Sequence, residues 1–135
     1  MDKIEIDIVP FRFKHFQALI DMLESQNYQG IQDIKMKTLP KIGYLAMYNG
    51  YPVAAGFLRR VEGNIAQLDG LTSNAYLGSI VRHHGVKAVV DTLIHDAKRL
   101  KLDGIIATTA DEGVLKRAAE LGFTLIPQKI IGLKL

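Results

Sequence analysis

The sequence contains no cysteine among its 135 residues, which excludes a disulfide framework and thiolate chemistry. This absence is consistent with a reducing compartment. No apolar run approaches the roughly 18 residues that a membrane-spanning helix needs. The first eleven residues, MDKIEIDIVPF, also lack the apolar core of a signal peptide. We therefore expect a cytoplasmic protein.

The sequence also lacks a strong charge, repeats and linkers. Its formal net charge of +3 mildly favours anionic ligands and is too small to indicate nucleic-acid binding. Hydrophobic residues make up 48% of the chain and charged residues 23%, as in an ordinary globular domain. With no internal repeat or low-complexity stretch, residues 1–135 are interpreted as one domain.

The N-terminal third predicts a strand, a helix and a loop. Apolar and charged side chains alternate over residues 4–8, which predicts a half-buried strand that ends at Pro10. Apolar spacing over residues 16–23 predicts an amphipathic helix. The polar stretch Ser25–Lys41 predicts a loop with a short helix near Ile31–Met36.

The middle of the chain predicts a three-strand antiparallel meander. Two strand-like runs flank Asn49-Gly50, a hairpin signal because both residues tolerate positive φ. A second turn at residues 62–64 leads into a strand over Ile65–Ser73. Gly70 inside this strand predicts a β-bulge.

The C-terminal half changes from strand to helix periodicity. After a predicted loop over Asn74–Arg82, apolar spacing from Val86 to Leu100 predicts the clearest helix of the chain. The remaining predicted elements are a strand at Ile105–Thr108, a helix at Asp111–Leu121, and two strands at Phe123–Ile126 and Lys129–Leu135.

The stretch RHHGVKA, residues 82–88, has three interpretations: a phosphate-binding loop, a histidine metal site, or a solvated helix start. Adjacent residues on a helix point about 100° apart, so His83 and His84 cannot chelate as an i, i+4 pair would. The other histidines, His15 and His95, lie in other predicted helices. We therefore expect no metal site, while the phosphate loop and the plain helix start stay open.

The order of elements resembles the GNAT superfamily of acetyl-CoA-dependent N-acetyltransferases. MYNGYPVAAGFL resembles its second and third strands, RHHGVKAVV resembles its pyrophosphate loop and the following helix, and LKRAAELGFTLI resembles its second cofactor helix. The segment TSN and the loop after it are similar to small phage-encoded members, which would place the protein in the host cytoplasm. The resemblance covers nearly the whole chain.

This resemblance implies an α+β fold: a mixed, mostly antiparallel central sheet of six to seven strands flanked by three to four helices. It implies acetyl-CoA as co-substrate and an amine of a protein or a small molecule as acceptor. The resemblance implies neither a bound metal nor a membrane partner, and it is compatible with a homodimer.

The resemblance also implies which residues hold the cofactor. A helix N-terminus offers unpaired N–H groups and about half a positive charge, which suits the pyrophosphate. The pantetheine arm would pair with the backbone of Leu71, Thr72 and Ser73. The pyrophosphate would contact Arg82, His83, His84, Gly85, Val86, Lys87 and Ala88, and Asp111 stands where the family has an asparagine at the start of the next helix.

Catalytic roles follow from the same resemblance. Gly70 would aim an N–H group at the thioester oxygen, as in an oxyanion hole. Asp69 is the candidate base for the acceptor ammonium, with Glu62 second. Ala118 occupies the position of the tyrosine that often acts as general acid in the family, so Tyr76 is the candidate acid for the leaving thiolate.

Two other classes of function stay open at this point. Without its acid, the protein is a non-catalytic module that binds CoA or another protein. Alternatively, VLKRAAELGF resembles the first helix and turn of a helix-turn-helix, although Pro127 disfavours a following recognition helix.

Overall fold

The structure is a computed structural model that describes residues 3–108, 112–126 and 132–133. Single 3-10 turns at Phe13–His15, Ile31–Asp33 and Met36–Thr38 separate the first elements. The strands and helices of the described residues are β1 (Asp7–Pro10), α1 (Phe16–Ser25), β2 (Ile42–Tyr48), β3 (Tyr51–Val61), β4 (Ile65–Ser73), α2 (Ser79–Arg99), β5 (Gly104–Ala107) and α3 (Glu112–Glu120).

The described strands form one sheet in the order β1-β2-β3-β4-β5. The first three pairings are antiparallel, and β4 pairs with β5 in parallel because α2 crosses between them. The predicted mixed, mostly antiparallel sheet is confirmed. Five strands and three helices are described, against the expected six to seven strands and three to four helices. Phe123–Ile126, predicted as a strand, is irregular, and most of Lys129–Leu135 lies outside the described residues.

Both predicted turns of the meander are confirmed. Asn49 and Gly50 have φ values of 49° and 80°, which suit the tight hairpin between β2 and β3. Gly63 and Asn64, at 91° and 62°, turn the chain from β3 into β4. These residues reach the left-handed region at little cost, so local sequence alone determines both turns.

The predictions for the N-terminal third need two corrections. The first strand lies later in the chain than the predicted residues 4–8, because its pairing with β2 begins at Asp7. It also includes Pro10, which the sequence predicts as its end. An edge strand accepts proline since one row of its N–H groups has no partner to bond. The short helix expected near Ile31–Met36 is replaced by the two 3-10 turns on either side of Ile34 and Lys35.

The core lies on both faces of the sheet. Helix α1 packs on one face and α2 on the other, so the apolar stripe of each helix faces the sheet. The cluster beneath α2 comprises Ala46, Val53, Ala54, Leu58, Ala66, Val89, Leu93 and Ala97, and the cluster beneath α1 comprises Leu19, Met22, Leu23, Leu45, Ala55 and Phe57.

Helix α2 begins at Ser79, inside the segment Asn74–Arg82 that the sequence predicts as a loop, so that prediction is wrong for residues 79–82. Val81 packs against the core one turn before Gly85, and Gly85 is buried. A Cβ at Gly85 would lie 2.4 Å from Val53 Cγ1. The apolar face of α2 therefore extends towards its N-terminus and includes Gly85, which allows the helix to pack closely against β3. The spacing of apolar side chains does not predict this part of the helix, because glycine has no side chain.

Candidate functional site

The parallel pairing of β4 with β5 ends halfway along β4. Their parallel pairing runs from Ile65 with Gly104 to Leu68 with Ala107, where β5 ends. β4 continues to Ser73 and is paired only with β3 over this second half. The other edge of residues 69–73 therefore has no strand partner among the described residues. Backbone groups on such an edge are available to an extended ligand.

The bulge predicted at Gly70 is confirmed. Ala55 pairs with Thr72 and Phe57 with Asp69, so β4 carries one residue more than β3 between these pairs. Gly70 has φ of 61°, and a Cβ there would lie 3.0 Å from Phe57 Cδ2. Both observations favour glycine at the point where β4 leaves β5.

Asp69, the candidate base, is held in an ion pair. Arg59 Nε donates to Asp69 Oδ2 at 2.9 Å, and an Nη group of Arg59 donates to the Thr38 carbonyl at 3.0 Å. The Asp69 side chain is 37% exposed, so solvent reaches the pair and weakens it. Asp69 is therefore oriented by Arg59 and accessible to an acceptor.

The other catalytic candidates lie away from Asp69. Tyr76 is 86% exposed, and its backbone N–H donates to Asn74 Oδ1 beyond the end of β4. Glu62 is exposed in the turn at the opposite end of β4. Ala118 is half-buried on α3, and Asp111 lies outside the described residues. No hydrogen bond in the described part of the chain joins any of these side chains to Asp69.

The N-terminus of α2 lies next to the end of β4. The Arg82 N–H already donates to the Gly78 carbonyl at 3.1 Å. The amides of residues 83–88 lie inside the helix and are bonded one turn back, so they cannot wrap a ligand as the resemblance implies. The amides of Ser79, Ile80 and Val81 precede the first intrahelical bond and have no acceptor among the described residues.

The side chains near this first turn divide into two groups. An open depression of about 380 Å³ is lined by Ser79, Ile80, Arg82 and His83. His84 instead approaches the Ile80 carbonyl at 2.9 Å through Nδ1.

Further along α2, the side chains are already engaged. Lys87 donates to Asp91 Oδ2 at 2.7 Å, and Val86 packs against the core. Ala88 is half-buried. In the described part of the chain, only the first-turn side chains line this depression.

A cluster of polar contacts joins the end of β4 to both helices. Gln26 Nε2 donates to Ser73 O at 3.0 Å and to Ser73 Oγ at 3.1 Å. Arg82 Nε donates to the same Oγ at 3.1 Å. Ser25 Oγ accepts from the Ala75 N–H at 3.0 Å. Sequence reasoning missed Gln26 and Ser25, because no spacing rule connects residues about fifty positions apart.

Two titratable side chains outside this site have shifted pKa values. Burial lowers the pKa of His15, with smaller contributions from Lys14 and Arg12, and His15 Nδ1 accepts from the Arg12 N–H at 2.9 Å. The Tyr44 hydroxyl donates to the buried carboxylate of Asp96, and this bond, followed by burial, raises the pKa of Tyr44.

Three absences hold for the described residues. No three His, Cys, Asp or Glu side chains there converge on a point that would suit a metal ion. None of the described helices combines the length and apolar character of a membrane-spanning segment. α3 ends at Glu120, and residues 121–126 contain no helix that would serve as the second helix of a helix-turn-helix.

Comparison with known proteins gives matches in structure. No protein-family model matches the sequence, and no curated protein sequence matches it. An acetyltransferase of the GNAT family from Staphylococcus aureus is 17% identical with a TM-score of 0.68, over 87% of this chain and 82% of that one.

Two further solved structures are similar over more of the chain. Rv2747 from Mycobacterium tuberculosis, solved in complex with CoA, is 16% identical with a TM-score of 0.71, over 93% of this chain and 76% of that one. Glucosamine-6-phosphate N-acetyltransferase from Arabidopsis thaliana is 11% identical with a TM-score of 0.71, over 96% and 98% of the two chains.

These matches cover most of the chain. At such low identity the likeness concerns the fold. The chain therefore has the fold of the GNAT-family acetyltransferases.

Proposed function

We propose that this protein is an acetyl-CoA-dependent N-acetyltransferase that acts on an amine of a protein or a small molecule. The observation that carries the proposal is the open edge of β4 beyond its pairing with β5, beside the N-terminus of α2. It supports a site in which an extended chain lies along an open strand edge while its anionic end meets a helix N-terminus.

The open edge of β4 and the first turn of α2 would each bind a different part of the CoA molecule. The free edge at Leu71 and Thr72 suits the amides of the pantetheine arm. The first-turn amides of α2, together with Arg82, suit the pyrophosphate, because charge-assisted bonds to phosphate are strong. This assignment retains Arg82 and His83 from the predicted set. It replaces the amides of residues 83–88 with those of the first turn.

The chemistry at the bulge follows from the same arrangement. Acetyl-CoA supplies a thioester whose carbonyl carbon the acceptor amine attacks, and CoA leaves as the thiolate when the C–S bond breaks. The Gly70 N–H would bind the carbonyl oxygen, where charge develops. Asp69 would accept the proton that the ammonium group loses, while remaining oriented by Arg59.

Of the steps in the proposed reaction, protonation of the leaving thiolate is the one for which the fewest suitable side chains are present. Ala118 offers no hydroxyl, and Tyr76 projects into solvent. General acid catalysis contributes about 10²–10⁴-fold, so turnover without a fixed acid is slow and still measurable. This is also the observation that favours the second candidate, a non-catalytic module that binds CoA.

Binding is tested first, by calorimetry and thermal unfolding with CoA. A ligand at about 100 times its dissociation constant stabilises the folded state by roughly 2.7 kcal/mol. For a domain of 135 residues the unfolding entropy is about 0.28 kcal/mol/K, so the melting temperature should rise by about 10 °C. No heat and no shift at millimolar CoA would remove both the enzyme and the CoA-binding module.

Arg82→Ala should weaken CoA binding by about 1.5–3 kcal/mol, because it removes a charged donor from the phosphates. Arg60→Ala is the matched control, since Arg60 is exposed on β3 and the substitution changes the net charge equally. Equal affinities of the two variants would contradict the placement of the pyrophosphate at α2.

Turnover is tested by release of CoA thiol across a panel of amines. Since the sequence has no cysteine, every thiol detected comes from CoA. Asp69→Asn should lower the rate while CoA affinity stays unchanged, and Tyr76→Phe tests the candidate acid in the same assay. Wild-type rates in both variants would contradict the catalytic assignment. CoA binding without turnover on any amine would favour the non-catalytic module.

A further inference from the structure

Ser73 is the point where α1, β4 and α2 meet. Its side chain is buried, with the residue only 6% exposed. Its hydroxyl oxygen accepts from Gln26 Nε2 and from Arg82 Nε, both at 3.1 Å. Gln26 also donates to the Ser73 carbonyl at 3.0 Å. One amide group from the end of α1 therefore bonds to both the backbone and the side chain of the last residue of β4.

These contacts fix the orientation of Arg82. A guanidinium group is planar, so a bond at Nε determines the direction in which its two Nη groups point. The Nη groups have no hydrogen-bond partner in the described part of the chain. Arg82 also lines the depression next to Ser79 and His83. The half-buried Arg82 thus has two Nη groups free to donate hydrogen bonds next to the first turn of α2.

Gln26 is not needed simply to hold the loop after β4. Ser25 Oγ already binds the Ala75 N–H at 3.0 Å. Asn74 is tied to β3 by its own N–H, at 2.8 Å from the Val53 carbonyl, and by its side chain, at 3.1 Å from the Pro52 carbonyl. What Gln26 adds to these ties is its contact with the hydroxyl that holds Arg82.

We propose that Gln26 is a positioning residue for CoA, acting through Ser73 Oγ to orient Arg82 towards the pyrophosphate. This inference rests on the proposed function. It also changes the role of Ser73, whose carbonyl is occupied by Gln26. The pantetheine arm is left with the backbone of Leu71 and Thr72, and Ser73 serves the arginine.

The test compares CoA with pantetheine, which lacks the pyrophosphate. Gln26→Met keeps the side-chain length and removes the amide donor. Loss of one neutral hydrogen bond that orients the arginine should weaken CoA binding about two- to tenfold. Pantetheine affinity should not change, since Arg82 does not reach that part of the molecule. Gln17→Met is the control, because Gln17 lies on α1 and donates only to Asp21, at 2.9 Å.

Repeating Gln26→Met in an Arg82→Ala background separates positioning from a general structural effect. With the arginine absent, the substitution should no longer change CoA affinity. An unchanged CoA affinity in the single variant, or an equal loss for CoA and pantetheine, would overturn the role of Gln26 alone. A wild-type protein that binds neither molecule would overturn the proposed function and this inference with it.

Discussion

Gly85 gives the sharpest test of how α2 is packed. The helix lies so close to β3 that a Cβ at this position would be 2.4 Å from Val53 Cγ1 and 3.1 Å from Val53 Cβ. Val53 is fully buried and β-branched, so it cannot rotate away easily. Gly85→Ala therefore forces the helix to move or the valine to leave its rotamer.

The expected magnitude follows from two opposing terms. Overpacking of a close-packed core costs about 1–3 kcal/mol. Replacing glycine by alanine within a helix returns about 1 kcal/mol. Gly85→Ala should thus lower the free energy of unfolding by about 0–2 kcal/mol. Gly104→Ala is the control, because a Cβ there has no neighbour within 4 Å.

A double-mutant cycle with Val53→Ala makes the test decisive. Val53→Ala alone should cost about 2 kcal/mol through lost burial and the cavity left behind. In the double variant the new methyl group at Gly85 enters the space that Val53 vacates. The double variant should therefore be at least about 1 kcal/mol more stable than the sum of the single effects predicts.

Urea unfolding followed by far-UV circular dichroism measures all four proteins without the need for a tryptophan, which the sequence lacks. Additive effects within about 0.5 kcal/mol would refute the close contact. If Gly85→Ala kept full stability and abolished CoA binding, the glycine would belong to a ligand-binding loop, as the resemblance implies.

Two further predictions concern titratable groups outside the site. Tyr44→Phe should lower the free energy of unfolding by about 1–3 kcal/mol, because it removes the hydroxyl donor of the buried Asp96 carboxylate and leaves it, among the described residues, only the longer ion pair with Arg99, at 3.7 Å. Tyr48→Phe serves as a control in the same urea assay. His15 has a folded-state pKa below its ordinary value of 6.5, so its contribution to stability is present above about pH 6.5 and declines as the pH falls towards the folded-state value. His15→Gln should reduce the loss of stability between pH 7 and pH 5 relative to wild type, and identical pH profiles would contradict this role.

The sequence predicts those parts of the fold that depend on neighbouring residues. Asn49-Gly50 defines a hairpin because its two residues favour positive φ, and alternating apolar side chains define the strands on either side. Gly70 is predictable as a bulge for the same local reason. The start of α2 is not predictable in this way. Gly85 lets the helix pack closely against Val53 because it has no side chain, and apolar periodicity does not detect such a residue.

The site is predicted less completely than the fold. The resemblance places the site at the junction of β4 and α2, and Arg82 lies at that junction. It assigns the free amides to residues 83–88, whereas the helix has already bonded them. Gln26 is absent from any sequence-based list, because it meets Ser73 only after 46 intervening residues have folded into the sheet.

Binding and catalysis depend on different features of this fold. An open strand edge, a bulge and a helix N-terminus are backbone features, and structural neighbours that are only 11–17% identical to this chain share its fold. Proton transfer depends instead on particular side chains, and those substitute freely while the backbone stays the same. Asp69 is oriented by Arg59, whereas no acid side chain of the described residues is held next to it. The backbone therefore supports the proposed CoA site, and the thiol-release assay decides whether the side chains complete an enzyme.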